Sequence, residues 1–134
     1  MGSLYNEEEV GSKVPVFFTP VNGIVSDVYN ENIGHYGIDI VAKKGVKIKA
    51  VAEGVVVFSS WTSETGYVLA IQHPNNFISF YKHNSSLLKR AGDFVRAGDE
   101  VSVIGNSGEY STGTHLHFEL WNSGSPCNPT NYIM

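Results

Sequence analysis

Five histidines, His35, His73, His83, His115 and His117, offer this 134-residue chain its richest chemistry. Imidazole is the commonest biological metal ligand and the side chain that exchanges protons near neutral pH. Taken singly, each also suits a surface position or a hydrogen-bonded core position, so their spacing carries more information than their presence. In His115-Leu116-His117-Phe118-Glu119-Leu120-Trp121 polar and apolar residues alternate as in a half-buried strand, with His115, His117 and Glu119 on one face and Leu116, Phe118 and Leu120 on the other. Same-face neighbours lie about 6.6 Å apart along a strand. That spacing suits one metal ligand beside one proton acceptor.

A second cluster is His35-Tyr36-Gly37-Ile38-Asp39, a histidine and a carboxylate four residues apart. On an ideal strand they would stand about 13 Å apart, too far to share an ion. The backbone must bend, and Gly34 and Gly37 are expected to supply that freedom before a strand starting at Ile38. A turn with a capping Asp is the plainer alternative. Two imidazoles and one carboxylate from separate elements would make a three-ligand set, which for zinc leaves a fourth position for water or substrate. Bound zinc lowers the pKa of water to about 7 and polarises a carbonyl, the requirements of peptide-bond hydrolysis. No His-Glu-x-x-His helix is present, so the base must be another side chain, a histidine being the best candidate. Which member of the His115/His117 pair binds metal stays open at this level.

The elements that must position these groups read as β. No stretch carries a sustained i, i+3, i+4, i+7 apolar stripe, and 14 glycines recur between short β-rich segments. Strands are expected at Val14 to Phe18, Gly23 to Tyr29, Ile38 to Val41, Val46 to Ala50, Gly54 to Trp61, Tyr67 to His73, Phe77 to His83, Glu100 to Ile104 and His115 to Trp121. Turn signals separate them, among them Glu64-Thr65-Gly66, Pro74-Asn75-Asn76 and Gly105-Asn106-Ser107-Gly108. Asn84 to Ala91 is expected to hold one short helical turn.

Hydrophobic residues at 42% and charged ones at 16% argue against a disordered chain. A net charge of −4 argues against a nucleic-acid binder. No apolar run is long enough for a membrane span, and Met1 to Gly11 is acidic where a secretory leader would be basic. One domain is expected over 14–134, preceded by a loose segment, 1–13, in which Gly2 and Ser3 read as a vector remnant. An upstream leader or membrane anchor is then expected to have been removed. Cys127 is the single cysteine, which excludes an internal disulfide. Lys43, Lys44, Lys47 and Lys49 read as a solvated strand edge.

The chain from Pro20 to Tyr132 resembles the LytM/lysostaphin-type zinc metallopeptidases, bacterial endopeptidases that cut the peptide part of peptidoglycan. The likeness runs in order through His35 and Asp39, Lys49 to Val56, Gly66-Tyr67-Val68, Ile71-Gln72-His73 and Phe80-Tyr81-Lys82-His83. It continues through Gly92 to Val95, Ala97-Gly98, Gly105 to Gly108, Ser111-Thr112-Gly113, His115-Leu116-His117-Phe118-Glu119 and Asn128-Pro129. The resemblance implies zinc held by His35, Asp39 and His117, with His83 and His115 acting on the attacking water and the developing oxyanion. It implies a compact, mainly antiparallel β domain of sheet or sandwich form, with little helix and an open groove over the zinc. It further implies peptidoglycan peptides as substrate, D-alanyl crosslinks among them, envelope regulatory proteins as partners, and a periplasmic or extracellular place in the cell envelope. A monomer is expected. Glu119 reads at least as readily as a surface residue at a strand end as it does as the partner of a ligating imidazole, and His73, next to Pro74 at a turn, reads as structural. Tyr29, Tyr36, Trp61, Tyr81 and Tyr110 could line a groove, but aromatic residues in a small β domain more often fill core and rim positions. Two departures from the pattern stand out: Asp27 to Ile33 lacks a Gly-x-Arg segment, and Thr114 stands where proline often precedes the histidine pair.

Three rivals follow from the same residues. A non-catalytic relative that activates other cell-wall hydrolases would share the fold, but all five matched site positions are intact. A biotin or lipoyl carrier would need a displayed lysine after methionine, and Met1 and Met134 are the only methionines. A cupin would place its glutamate farther beyond the histidine pair than Glu119 stands.

Overall fold

Two-residue apolar alternation becomes a set of short antiparallel strands in the computed structural model, which describes residues 16–107 and 114–133. In chain order these are β1 (Ile24–Asp27), β2 (Ile38–Val41), β3 (Lys47–Lys49), β4 (Gly54–Thr62), β5 (Gly66–Gln72) and β6 (Phe77–Asn84). They are followed by β7 (Ser86–Leu87), β8 (Phe94–Val95), β9 (Glu100–Val103), β10 (His115–Asn122) and β11 (Ser125–Cys127). Helical structure among the described residues is confined to the 3₁₀ turns Glu31–Ile33, Pro74–Asn76 and Pro129–Asn131. The mainly antiparallel β class is therefore the one expected.

The large sheet runs β1-β2-β10-β6-β5-β4-β8, with β11 joined to β10, and a smaller sheet runs β3-β9-β7. Their apolar faces meet: Ile38 and Ile40 of β2, Leu69 and Ile71 of β5 and Leu116, Phe118 and Leu120 of β10 share one buried cluster with Ile48 of β3 and Val101 of β9. Burying these alternate side chains leaves His117 and Glu119 on the other face of the large sheet. Tight turns follow the expected chemistry. Asn75 and Asn76 adopt left-handed φ values of 64° and 63° between β5 and β6, and Ser123 and Gly124 do so at 50° and 84° between β10 and β11.

Two expectations fail. Val14 and Pro15 lie outside the described residues, and Val16 to Phe18 form no strand beyond a parallel bridge from Phe17 to Ile133. Phe17 instead plugs the core, its ring 5.1 Å from that of Phe77 and 5.6 Å from that of His73. Asn84 to Ala91 contains β7 rather than a helical turn, because the N–H groups of Ser85 and Leu88 donate to the carbonyls of Val103 and Val101 on β9. Segment 1–13, Gly108, Tyr110 and Ser111-Thr112-Gly113 lie outside the described residues.

Candidate functional site

Strand register assembles the site. Pairing of β2 with β10 sets Asp39 directly opposite His117, and pairing of β10 with β6 sets Lys82 opposite His117 on its other side. Directly opposed residues share a face, with Cβ atoms about 5 Å apart. Asp39 Oδ1 accordingly lies 2.7 Å from His117 Nδ1. Neighbouring β1 places Asp27 opposite Asp39, so a row of ionisable side chains crosses four strands.

His35 reaches this row from outside the sheet. Asn30 and His35 exchange backbone hydrogen bonds at 2.9 Å in both directions, closing a loop around the turn Glu31–Ile33. Gly34 ends that turn at φ 76°, the left-handed conformation expected of it. Gly37 lies at the expected bend, with a φ outside the left-handed region. A Cβ there would stand 2.4 Å from the Phe118 carbonyl oxygen, 2.8 Å from Glu119 Cγ and 3.0 Å from His117 Nε2. Glycine at 37 thus also permits close approach to β10 at that bend.

The His35 ring donates from Nδ1 to the Val28 carbonyl at 2.7 Å, which leaves an Nε2 lone pair facing Asp39. That Nε2 is buried without a hydrogen-bond partner, with Asp39 Oδ2 at 3.4 Å and Asp27 Oδ2 at 3.7 Å. An orphaned buried nitrogen is costly, and a cation between it and the carboxylate would satisfy both. Ligand atoms of His35, Asp39 and His117 all lie within 4.8 Å of one another, a group that could hold a metal ion. The donor set, two imidazoles and one carboxylate, suits zinc with an open position.

His117 Nε2 lies 2.8 Å from Glu119 Oε2. That carboxylate is itself held, Oε2 by Lys82 Nζ at 2.9 Å and Oε1 by the Trp121 indole N–H at 2.8 Å. Burial opposes charge on Glu119, but hydrogen bonds from His117 and Lys82 prevail and lower its pKa to about 2. Burial likewise opposes charge on His117 and Asp39. The hydrogen bonds of Asp39 and Glu119 nevertheless raise the His117 pKa, and His117 lowers that of Asp39.

The other two expected site histidines are adjacent. The His83 and His115 rings are 5.3 Å apart, and that of His83 is 6.3 Å from His117. Strand alternation would turn His83 away from the face that carries Lys82. A left-handed φ of 67°, rare for a non-glycine residue, breaks the alternation at the end of β6. His83 donates from Nδ1 to the Ser107 carbonyl at 2.7 Å. Burial pushes its pKa down, the Ser107 bond partly offsets this, and the neighbouring histidines add to the lowering. Neutral His83 therefore carries its lone pair on Nε2.

His73 belongs elsewhere. Its Nδ1 donates to the Glu53 carbonyl at 2.7 Å and its Nε2 lies 2.7 Å from Ser79 Oγ, which is 2.8 Å from Tyr81 Oη. This buried chain is structural, and Tyr81 is wholly inside the core. Tyr36 does reach the site's edge, its ring 6.5 Å from those of both Tyr29 and Trp121. Motif spacing alone does not single out Asp27, Lys82 or Trp121. Trp121 shares the alternation of His117 and Glu119 and is discoverable from it; Asp27 and Lys82 depend on register.

Compared with known proteins, residues 33–129 match peptidase family M23, and the chain belongs to that family. Murein hydrolase activator NlpD of Escherichia coli (strain K12) is 34% identical over 117 residues, which make up 85% of this chain and 30% of that protein. DD-carboxypeptidase/endopeptidase Mpg of Neisseria meningitidis serogroup B is 36% identical over 100 residues, 75% of this chain and 23% of that protein. The catalytic domain of the prophage-encoded M23 protein EnpA from Enterococcus faecalis superposes with a TM-score of 0.75 at 31% identity, covering 86% of this chain and 97% of that one. This chain spans less than a third of the length of the curated relatives it matches. Among the described residues no helix is long and apolar enough to cross a membrane.

Proposed function

We propose that this chain is a zinc endopeptidase that hydrolyses peptide bonds in bacterial peptidoglycan, D-alanyl crosslinks in particular. The single observation that carries this is the buried, partnerless Nε2 of His35 facing Asp39, with His117 closing the group and two further histidines beside it. His35, Asp39 and His117 would hold zinc. Zinc so held would polarise the scissile carbonyl and lower the pKa of water.

Around it the protein's own side chains have distinct tasks. His83, kept neutral by burial and locked by the Ser107 carbonyl, is suited to accept the proton of the attacking water at Nε2. His115, whose ring lies 5.3 Å from that of His83, would donate to the carbonyl oxygen as that oxygen gains negative charge. Protonated His83 then returns its proton to the leaving amine. Peptidoglycan as substrate is supported by likeness to proteins named as a murein hydrolase activator and a DD-carboxypeptidase/endopeptidase. A place in the cell envelope, with envelope regulatory proteins as partners, follows from that substrate.

Likeness to NlpD favours one rival, a module that activates other hydrolases. Metal analysis joined to mass spectrometry of products from purified, crosslinked peptidoglycan separates the two. Stoichiometric zinc and cleaved crosslinks are expected; neither metal nor product would leave the activating module.

A further inference from the structure

Glu119 is set apart from an ordinary strand carboxylate by how completely it is used. It is only 8% exposed. Both oxygens are engaged, Oε1 by the Trp121 N–H at 2.8 Å and Oε2 by Lys82 Nζ at 2.9 Å and His117 Nε2 at 2.8 Å. Lys82 stands opposite His117 through the β6–β10 register, and Trp121 follows Glu119 by two residues on the same face. Two donors from two strands therefore hold the carboxylate where it meets the imidazole edge remote from Asp39. Gly37 packs close against this contact, since a Cβ there would stand 2.8 Å from Glu119 Cγ. That leaves the carboxylate little room to rotate away.

We infer that Glu119 is a positioning residue for His117. By accepting the Nε2 proton it selects the tautomer with Nδ1 free and holds the ring so that Nδ1 faces Asp39 and His35. Lys82 and Trp121 keep the carboxylate itself in place. A carboxylate on the outer nitrogen of a metal-binding imidazole both orients the ring and makes it more basic, and its removal costs about 10- to 100-fold in metal affinity or activity. This inference rests on the zinc-binding function proposed above.

The test measures zinc affinity by chelator competition on the full 134-residue chain, wild type, Glu119→Ala and Glu119→Gln, with the cobalt-substituted visible spectrum of each. Wild-type zinc binding with a loss of about 10- to 100-fold in Glu119→Ala is expected, together with a changed cobalt spectrum. Glu119→Gln, which keeps an acceptor but not the charge, is expected to fall between the two. Thermal melts of the metal-free proteins report folding separately. If Glu119→Ala does not fold, Glu119→Gln decides the matter. A folded variant with wild-type zinc affinity and an unchanged cobalt spectrum overturns the positioning role and leaves zinc binding intact. A wild-type chain that binds no zinc removes both.

Discussion

Asp39 on β2 and His117 on β10 are directly opposed across an antiparallel strand pair, and their side chains meet at 2.7 Å between Oδ1 and Nδ1. Their 78-residue separation along the chain is closed by backbone pairing, which gives the site rigidity that two loops would not. His35 joins them from a loop that its own hydrogen bonds close.

Replacing His117 by alanine removes a ring that is both a proposed ligand and the partner of Asp39. His117→Ala is expected to lose zinc and activity together. His115→Ala is expected to retain stoichiometric zinc while turnover falls by about 10²- to 10⁴-fold. Metal content measured beside muropeptide cleavage checks both, and a metal-free His115→Ala protein would contradict the division of roles.

Gly37→Ala is expected to damage the site without touching any ionisable group. The new methyl would stand 2.4 Å from the Phe118 carbonyl oxygen, in backbone that cannot easily move. Overpacking of this kind costs about 1–3 kcal/mol. A lowered thermal midpoint with weakened zinc binding is the expected result; wild-type values for both would show that β2 and β10 separate freely.

Acidity should act on metal-free and metal-bound protein with opposite signs. The metal-free pKa of His117 is raised above 6.5 by Asp39 and Glu119, against the effect of burial. Its stabilising contribution is therefore complete below pH 6.5 and is lost as pH rises through the raised value. Zinc bound as proposed would displace the Nδ1 proton, so affinity is expected to climb with pH over the same interval, by about tenfold per unit for one displaced proton. Glu119, lowered to about 2, stays ionised throughout. Melting of the metal-free protein and chelator competition between pH 5.5 and 8 test this pair of trends, and parallel rather than opposed slopes would refute it.

His73 titrates in the opposite sense. Burial lowers its pKa, outweighing the Glu53 carbonyl bond that favours the charged form. Its contribution is present above pH 6.5 and is lost as pH falls through the depressed value. His73→Ala would also leave the Glu53 carbonyl and Ser79 without their ring partner and open space beside Phe17. A loss of about 2–4 kcal/mol is expected from these combined defects, with zinc affinity unchanged. Denaturant unfolding at neutral pH, joined to a zinc titration, measures both; a weakened zinc site would mean that the buried chain reaches the metal centre.

Much of this is legible from residue spacing. Alternation along β10 by itself places His117 and Glu119 on one face, and Glu64-Thr65-Gly66 and Pro74-Asn75-Asn76 mark the β4–β5 and β5–β6 turns, whereas the β10–β11 hairpin at Ser123-Gly124 carries no signal read from the sequence. The 84–91 segment misleads because its short β7 is stabilised by β9, a partner beyond the reach of local pattern. Glu119 is ambiguous for a similar reason. Whether it ends a solvated strand or is buried depends on Lys82 and Trp121 meeting it across and along the sheet.

What the chain determines locally is the class of fold and the inventory of reactive groups, because the two-residue period of a strand is a covalent property of extended backbone. Tertiary structure alone decided which groups meet. Register sets Asp39 and Lys82 on either side of His117, and a slip of one residue would turn each to the opposite face. It also imposes the left-handed backbone at His83 and the close passage at Gly37. These depend on contacts between segments tens of residues apart, whose energies no local spacing contains.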